Sequence, residues 1–292
     1  MRILVTFLCF SVLHASYSET FQECGLIKES VMSPLIMHAS PTTSANWPWY
    51  TAIYLHTKKD TWEFSCGGSI LSERLVITAA HCLWTVPATE IKVTAGSSFS
   101  DFDREEPGKQ IADVSEVIIH DLYFDALGNF GSDIALIKLK TPFVVGDFVQ
   151  VICLDLNLRN IMDLDNFTME GKVIGMGITE SGSTSLNLQE ARVELVSTKG
   201  CIDNQMSEFK KYVTVATFCG KGINGSVICN GDSGGGFAIK DPVTGKWMLE
   251  GVVSISPKDP RNITCDPKYY TIFTKVGLFV SWIKRYVNDS NE

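Results

Sequence analysis

The sequence predicts an all-β fold, a barrel or sandwich architecture with one C-terminal α-helix. Short apolar or β-branched segments recur along most of the chain, with Gly, Pro, Asn and Asp clustered between them. Only one segment, VGLFVSWIKRYV at 276–287, carries apolar residues at convincing helical spacing. No internal repeat, low-complexity tract or heptad pattern competes with this reading.

Taken in chain order, residues 1–18, MRILVTFLCFSVLHASYS, hold one basic residue and then an apolar run from Ile3 to Leu13. The run is too short to span a bilayer and fits a secretory signal peptide cut near Ser18. Residues 19–35 read as a loose leader. Strand-like segments follow: RLVITAA, IKVTAG, VSEVIIH, SDIALIKL, KVIGMGI, WMLEGVVSI and TIFTKV. Many short strands at this spacing are the pattern of barrels and sandwiches. The terminal helix places Val276, Phe279, Val280, Ile283 and Val287 on one face, as core packing requires.

A chain of 292 residues can bury a large core, in one domain or two small ones. A formal net charge of −8 argues against a nucleic-acid partner. With Cys9 in the signal peptide, eight cysteines remain: Cys24, Cys66, Cys82, Cys153, Cys201, Cys219, Cys229 and Cys265. In an oxidising compartment they predict four disulfides, which spacing alone leaves open among about 105 pairings. No CxxC pair points to zinc. Sequons at Asn166, Asn224, Asn262 and Asn288 are compatible with glycosylation.

The chemistry concentrates at CNGDSGGG, residues 229–236. A serine hydroxyl needs a base to react, the base needs a group to orient it, and the developing oxyanion needs fixed donors. Glycines around Ser233 allow close approach of a substrate, so the N–H groups of Gly231 and Ser233 can point at one oxygen. A glycine-rich surface turn is the plain alternative. Of five histidines, His14 lies in the signal peptide, and His38, His56 and His120 have ordinary neighbours. His81 ends the strand-like VITAAHC among small residues that leave its ring accessible. Asp133 opens the otherwise apolar DIALIKL, where a carboxylate needs a partner; a strand-start cap is the plain reading and a histidine the better one.

TAAHC, SDIALIKL and GDSGGG, in the order His–Asp–Ser, resemble the chymotrypsin/trypsin family of serine endopeptidases. The chain order sets them apart from subtilisins and α/β-hydrolases. WPW at 47–49 and CGGSI at 66–70 match as well, and the resemblance runs from about Cys24 to the terminal helix. Within the family, SPLI, TPFVVGDFVQVICLD and GVVSISP are most similar to the catalytic region of insect modular serine proteases.

The resemblance implies two antiparallel six-stranded β-barrels with the active site between them. It implies a signal peptide at 1–18, an activation leader at 19–35 and a protease domain at 36–292, with the barrel boundary near residue 150. It pairs Cys66–Cys82, Cys201–Cys219, Cys229–Cys265 and Cys24–Cys153. It makes His81, Asp133 and Ser233 the triad, and the Gly231 and Ser233 N–H groups the oxyanion hole. Zymogen cleavage would fall at Leu35–Ile36, freeing an ammonium that pairs with Asp232. Met37, His38 and Ala39 depart from the family's Val-Gly-Gly, and Phe64 stands where many zymogens carry a His.

The specificity pocket would have Val227 at its floor, with Ile228, Ser254, Ile255, Ser256 and Thr271 as walls. Without an acid at the floor, burying Arg or Lys is costly. Thr271 narrows the pocket, and Leu or a similar apolar residue is the expected taste. Ser97 and Lys109 replace acidic ligands of the family's calcium loop, so neither metal nor cofactor is expected. The expected partners are a protein or peptide substrate, an activating protease and protein inhibitors, with no nucleic acid or membrane. The expected location is extracellular. The alternative is a non-catalytic homologue that acts as a binding or cofactor protein.

Overall fold

The computed structural model describes residues 24–27, 40–155, 169–178, 184–224, 226–229, 231–257, 265–266 and 268–289. Thirteen strands form among them: β1 (Ser40–Pro41), β2 (Tyr50–His56), β3 (Trp62–Ser72), β4 (Leu75–Thr78), β5 (Ile91–Ala95), β6 (Gln110–Ile119), β7 (Ala135–Leu139), β8 (Glu170–Gly175), β9 (Gln189–Val196), β10 (Thr217–Gly222), β11 (Gly236–Lys240), β12 (Trp247–Ile255) and β13 (Thr271–Lys275). All seven strand-like segments of the sequence fall on strands, within a few residues at each end.

The first barrel closes in the order β2-β3-β4-β7-β6-β5, every pair antiparallel. In the second, β9-β10-β13-β12-β11-β8 closes through the β8–β9 pair, and β1 adds to the outside of β9. Closure leaves few strand edges unpaired. Ile53, Leu75, Ile77, Val93 and Ile137 fill the first barrel, while Val193, Phe237 and Phe273 fill the second. Burying each such side chain is worth about 1.5–3 kcal/mol.

The WPW motif sits where the barrels meet. Trp47 packs edge-on against Trp49 and against Trp247 of β12, with ring centroids 5.7 and 4.8 Å apart. The Trp47 indole N–H donates to Glu190 of β9 at 3.0 Å. The motif thus fastens the first barrel to the second. The terminal helix opens as a 3-10 turn at Val276–Phe279 and continues as an α-helix, Val280–Asp289. Its five apolar positions are all buried, and Phe279 and Trp282 pack edge-on against His120 of the first barrel.

One α-helix was not legible in the sequence. Thr198–Asn204 is α-helical, capped by the Ser197 hydroxyl, which accepts from the Gly200 N–H at 3.1 Å. At seven residues, with Cys201 its one buried residue, it carries too little apolar periodicity to be seen. Tertiary contact and the Cys201–Cys219 bond hold it instead. The four disulfides are Cys24–Cys153, Cys66–Cys82, Cys201–Cys219 and Cys229–Cys265. No described helix is long and apolar enough to cross a membrane.

Candidate active site

β4 delivers His81 to the cleft. After Thr78 the strand ends in a 3-10 turn, Ala80–Cys82, which Cys82 ties to Cys66 of β3. Asp133 lies two residues before β7, the strand that pairs with β4, so the two residues arrive side by side. Asp133 is fully buried, and both its carboxylate oxygens are used. Oδ1 accepts from the His81 backbone N–H at 2.9 Å, and Oδ2 lies 2.8 Å from His81 Nδ1. Ser254 of β12 also donates to Oδ2, at 2.5 Å, and the Thr274 hydroxyl donates to the Asp133 carbonyl at 2.9 Å. A buried carboxylate is tolerable only with such donors. Burial alone pushes the His81 pKa down, but the charge and hydrogen bond of Asp133 outweigh it and hold the pKa above its ordinary value.

The second barrel brings Ser233 to the same place. Its carbonyl accepts from the Gly67 N–H of β3 at 2.8 Å. Gly234 has φ +76°, and a Cβ there would stand 2.1 Å from Thr78 Oγ1 and 3.2 Å from the Ala79 nitrogen. Only glycine lets the serine loop lie this close to the strand that carries His81. The other imidazole nitrogen, Nε2, faces Cys82 Sγ at 3.7 Å, and no hydrogen bond joins it to Ser233. The N–H groups of Gly231 and Ser233 have no hydrogen-bond partner among the described residues.

Asp232 turns inward between these two donors. Its Oδ1 accepts from the Gly177 N–H and its Oδ2 from the Cys229 N–H, each at 2.9 Å. The residue as a whole keeps some exposure, but its carboxylate is enclosed: Cβ atoms at Gly175 or Gly177 would clash with it. Burial, only partly offset by the two N–H groups, pushes its pKa up to about 6. No cation pairs with it among the described residues. Ile36, its expected partner, lies outside the described residues, as does the Leu35–Ile36 bond. Phe64 approaches Gly231 here, where a Cβ would lie 3.4 Å from its ring.

In the second barrel a cavity of about 10 Å³, room for roughly one water, is lined by Val227, Ile228, Ser256 and Thr271, among others. The side chains of two residues expected on its walls have other contacts. Ser254 spends its hydroxyl on Asp133, and Ile255 packs against the Cys201–Cys219 cluster. The Ser256 and Thr271 hydroxyls meet at 3.0 Å across the cavity. That contact joins two of the residues expected to line the pocket.

Cys66, His81 and Cys82 cluster closely, but both sulfurs are in a disulfide and supply no thiolate for a metal. The calcium-loop segment shows what Lys109 does. Its ammonium donates to the carbonyls of Phe102 at 2.5 Å and Arg104 at 2.7 Å, with Asp101 at 3.5 Å. Glu106 is already engaged by the Ser97 hydroxyl and the Ser98 N–H. A side-chain cation occupies the loop's carbonyl oxygens.

Two closed barrels with a histidine–aspartate pair and a glycine-cradled serine between them define a serine protease fold and site. The trypsin family model matches residues 36–283, and the chain belongs to that family. It is 32% identical over 276 residues to clotting factor C of Tachypleus tridentatus, covering 90% of this chain and 26% of that protein. To CLIP domain-containing serine protease B4 of Anopheles gambiae it is 27% identical over 258 residues, covering 85% and 69%. To inactive serine protease PAMR1 of Xenopus tropicalis it is 30% identical over 263 residues, covering 82% and 36%. The chain thus spans about a quarter of the length of clotting factor C.

Proposed function

We propose that the chain is a secreted serine endopeptidase, made as a zymogen, that cleaves peptide bonds after small apolar residues. The observation that carries this is the grip on Asp133. A buried carboxylate that holds the His81 ring and amide together, beside a glycine-cradled serine, is costly to build and suits proton transfer. Ser233 attacks the peptide carbonyl, and His81 takes its proton and later gives it to the leaving amine. Asp133 fixes the ring and offsets its charge, with Ser254 as a further support. The free N–H groups of Gly231 and Ser233 receive the oxyanion. The Ser233–His81 contact closes when substrate binds, since such bonds are often loose without it.

Asp232 supports the zymogen reading. A carboxylate enclosed without a cation among the described residues is poised for an incoming ammonium, which cleavage at Leu35–Ile36 would supply. The Leu35 bond matches an apolar taste, and a protease with a roomier pocket than this one would make the cut. Four disulfides support an extracellular setting. The narrow cavity supports small residues before the scissile bond.

The second reading, a non-catalytic homologue that binds rather than cuts, draws on the likeness to a relative named as inactive and on the missing His81–Ser233 bond. A fluorophosphonate probe separates the two. Protein cleaved at Ile36 should label at Ser233 and lose labelling in Ser233→Ala and His81→Ala. A folded, cleaved chain that stays unlabelled favours the binding role. Terminal sequencing of active material that begins elsewhere than Ile36 overturns the proposed activation bond.

A further inference from the structure

We propose that Cys66, Cys82 and His81 become a zinc site when the Cys66–Cys82 disulfide is reduced, and that zinc bound there blocks the His81 imidazole. The binding stands by itself; the block rests on the protease reading.

The donors are already assembled. Cys66 Sγ, Cys82 Sγ and a ring nitrogen of His81 lie within 4.8 Å of one another, and no other such group of His, Cys, Asp or Glu occurs among the described residues. Nε2 of His81 stands 3.7 Å from Cys82 Sγ. A tetrahedral zinc with Zn–S of about 2.3 Å and Zn–N of about 2.0 Å holds two such atoms roughly 3.6 Å apart. Asp133 takes the other nitrogen, Nδ1, at 2.8 Å. A carboxylate on the far nitrogen is the usual support of a zinc-binding imidazole.

The frame around the donors does not depend on the disulfide. Cys66 lies on β3 and Cys82 just after β4, and these strands pair through Ser69–Ile77, Ile70–Val76 and Ser72–Leu75. Next to Cys66, the Gly67 N–H donates to the Ser233 carbonyl at 2.8 Å. Next to Cys82, the His81 N–H donates to Asp133 at 2.9 Å. Reduction therefore leaves both thiols in position. Their Cα atoms are 6.2 Å apart, so rotation about each Cα–Cβ bond can part the sulfurs to the roughly 3.8 Å that two zinc-bound thiolates need. Both cysteines are buried and the His81 ring is partly exposed, so the ion enters from the cleft and its fourth position faces water.

A dithiol supplies the electrons. Thiol–disulfide exchange moves two electrons and two protons from it to the Cys66–Cys82 bond, and it leaves as a disulfide itself. Zinc then binds both sulfurs as thiolates, releasing their protons to solvent, with neutral Nε2 as the third donor. Thiolates select zinc over calcium or magnesium. With its lone pair on zinc, Nε2 cannot take the proton of Ser233. Exchange with an oxidised dithiol reverses the step and removes two of the three donors.

The test uses the full chain after cleavage, reduced under native conditions with a water-soluble phosphine, which becomes its oxide with oxygen from water and is removed before metal is added. Differential alkylation with mass spectrometry should find Cys66 and Cys82 free. Cobalt(II), a coloured stand-in for zinc, should then give thiolate charge-transfer bands that zinc abolishes, and the untreated chain should give none. His81→Ala should weaken the reduced site by at least about a hundredfold. A Cys66→Ser, Cys82→Ser double variant, treated alike, should give no bands. A Cys66–Cys82 bond that opens only on unfolding, a reduced chain without bands, or equal affinity in His81→Ala overturns the site. Fluorophosphonate labelling of Ser233 runs alongside. Saturating zinc should slow labelling of the reduced chain by at least about a hundredfold and leave the untreated chain unchanged. Full labelling of the zinc-saturated chain, or none in the reduced chain before zinc, overturns the block. An untreated chain that never labels sinks the protease reading and the block, while the cobalt bands still decide the site.

Discussion

Ser254, on the second barrel, donates its hydroxyl to the buried carboxylate of Asp133, on the first, at 2.5 Å. One side chain thereby joins the two barrels at the point where His81 is held. Replacing Ser254 by Ala leaves Asp133 with a lone pair unmet. Urea unfolding should show a loss of about 1–3 kcal/mol. The kcat should fall by about tenfold, with KM little changed. Asp133→Asn should cost far more, on the order of 10⁴ in kcat, because the amide cannot hold the imidazole in the reactive tautomer.

The His81 pKa lies above its ordinary value, because Asp133 favours the charged ring more than burial disfavours it. The ring must be neutral to accept a proton from Ser233. The rate profile for kcat/KM should therefore rise with pH, with its midpoint above the ordinary histidine value of about 6.5. A midpoint at or below that value contradicts the Asp133 coupling.

Asp232 behaves oppositely to an ordinary paired carboxylate. Its folded pKa is raised to about 6, so the folded chain holds a proton that the unfolded chain has released. Stability of the uncleaved protein should therefore fall as pH rises from about 4 through 6, by roughly 2–3 kcal/mol in all. Denaturant titrations at pH 4.5 and 7.5, with Asp232→Asn as control, check this. Cleaved protein, with an ammonium beside the carboxylate, should lose this pH dependence.

The Ser256 and Thr271 hydroxyls meet at the cavity wall. Thr271→Gly should remove this contact and admit larger side chains. Leu or Phe before the scissile bond should gain about tenfold to a hundredfold over Ala in kcat/KM. A peptide-library profile on both forms reads the change directly.

Lys109 fills its own loop with charge. A chelator should leave the melting temperature unchanged, since the carbonyls of Phe102 and Arg104 are served by an ammonium. Lys109→Met should destabilise the loop by about 1–3 kcal/mol, the cost of freeing hydrogen bonds to a charged donor.

What was legible in the sequence was local. TAAHC, SDIALIKL and GDSGGG each carry their chemistry within a few residues, and the alternating apolar segments mark the strands. What was not legible depends on distant backbone. Ser254 looked like a pocket wall, because nothing nearby says that its hydroxyl reaches Asp133. Phe130 owes its place to left-handed backbone at Asn129, Phe130 and Ser132, none of them a glycine that would announce it, although Gly128 and Gly131 stand beside them. The short helix at Thr198–Asn204 hides for lack of an apolar stripe. The size of the cavity turned on a pair of hydroxyls fifteen positions apart, which no motif describes.

Cys24 is bonded to Cys153, and its neighbour Gly25 donates to the Val151 carbonyl and accepts from the Trp247 N–H. Severing the chain anywhere between residues 28 and 39 therefore sheds nothing. The two pieces stay joined through the Cys24–Cys153 bond, and a non-reducing size-exclusion column would see one peak before and after.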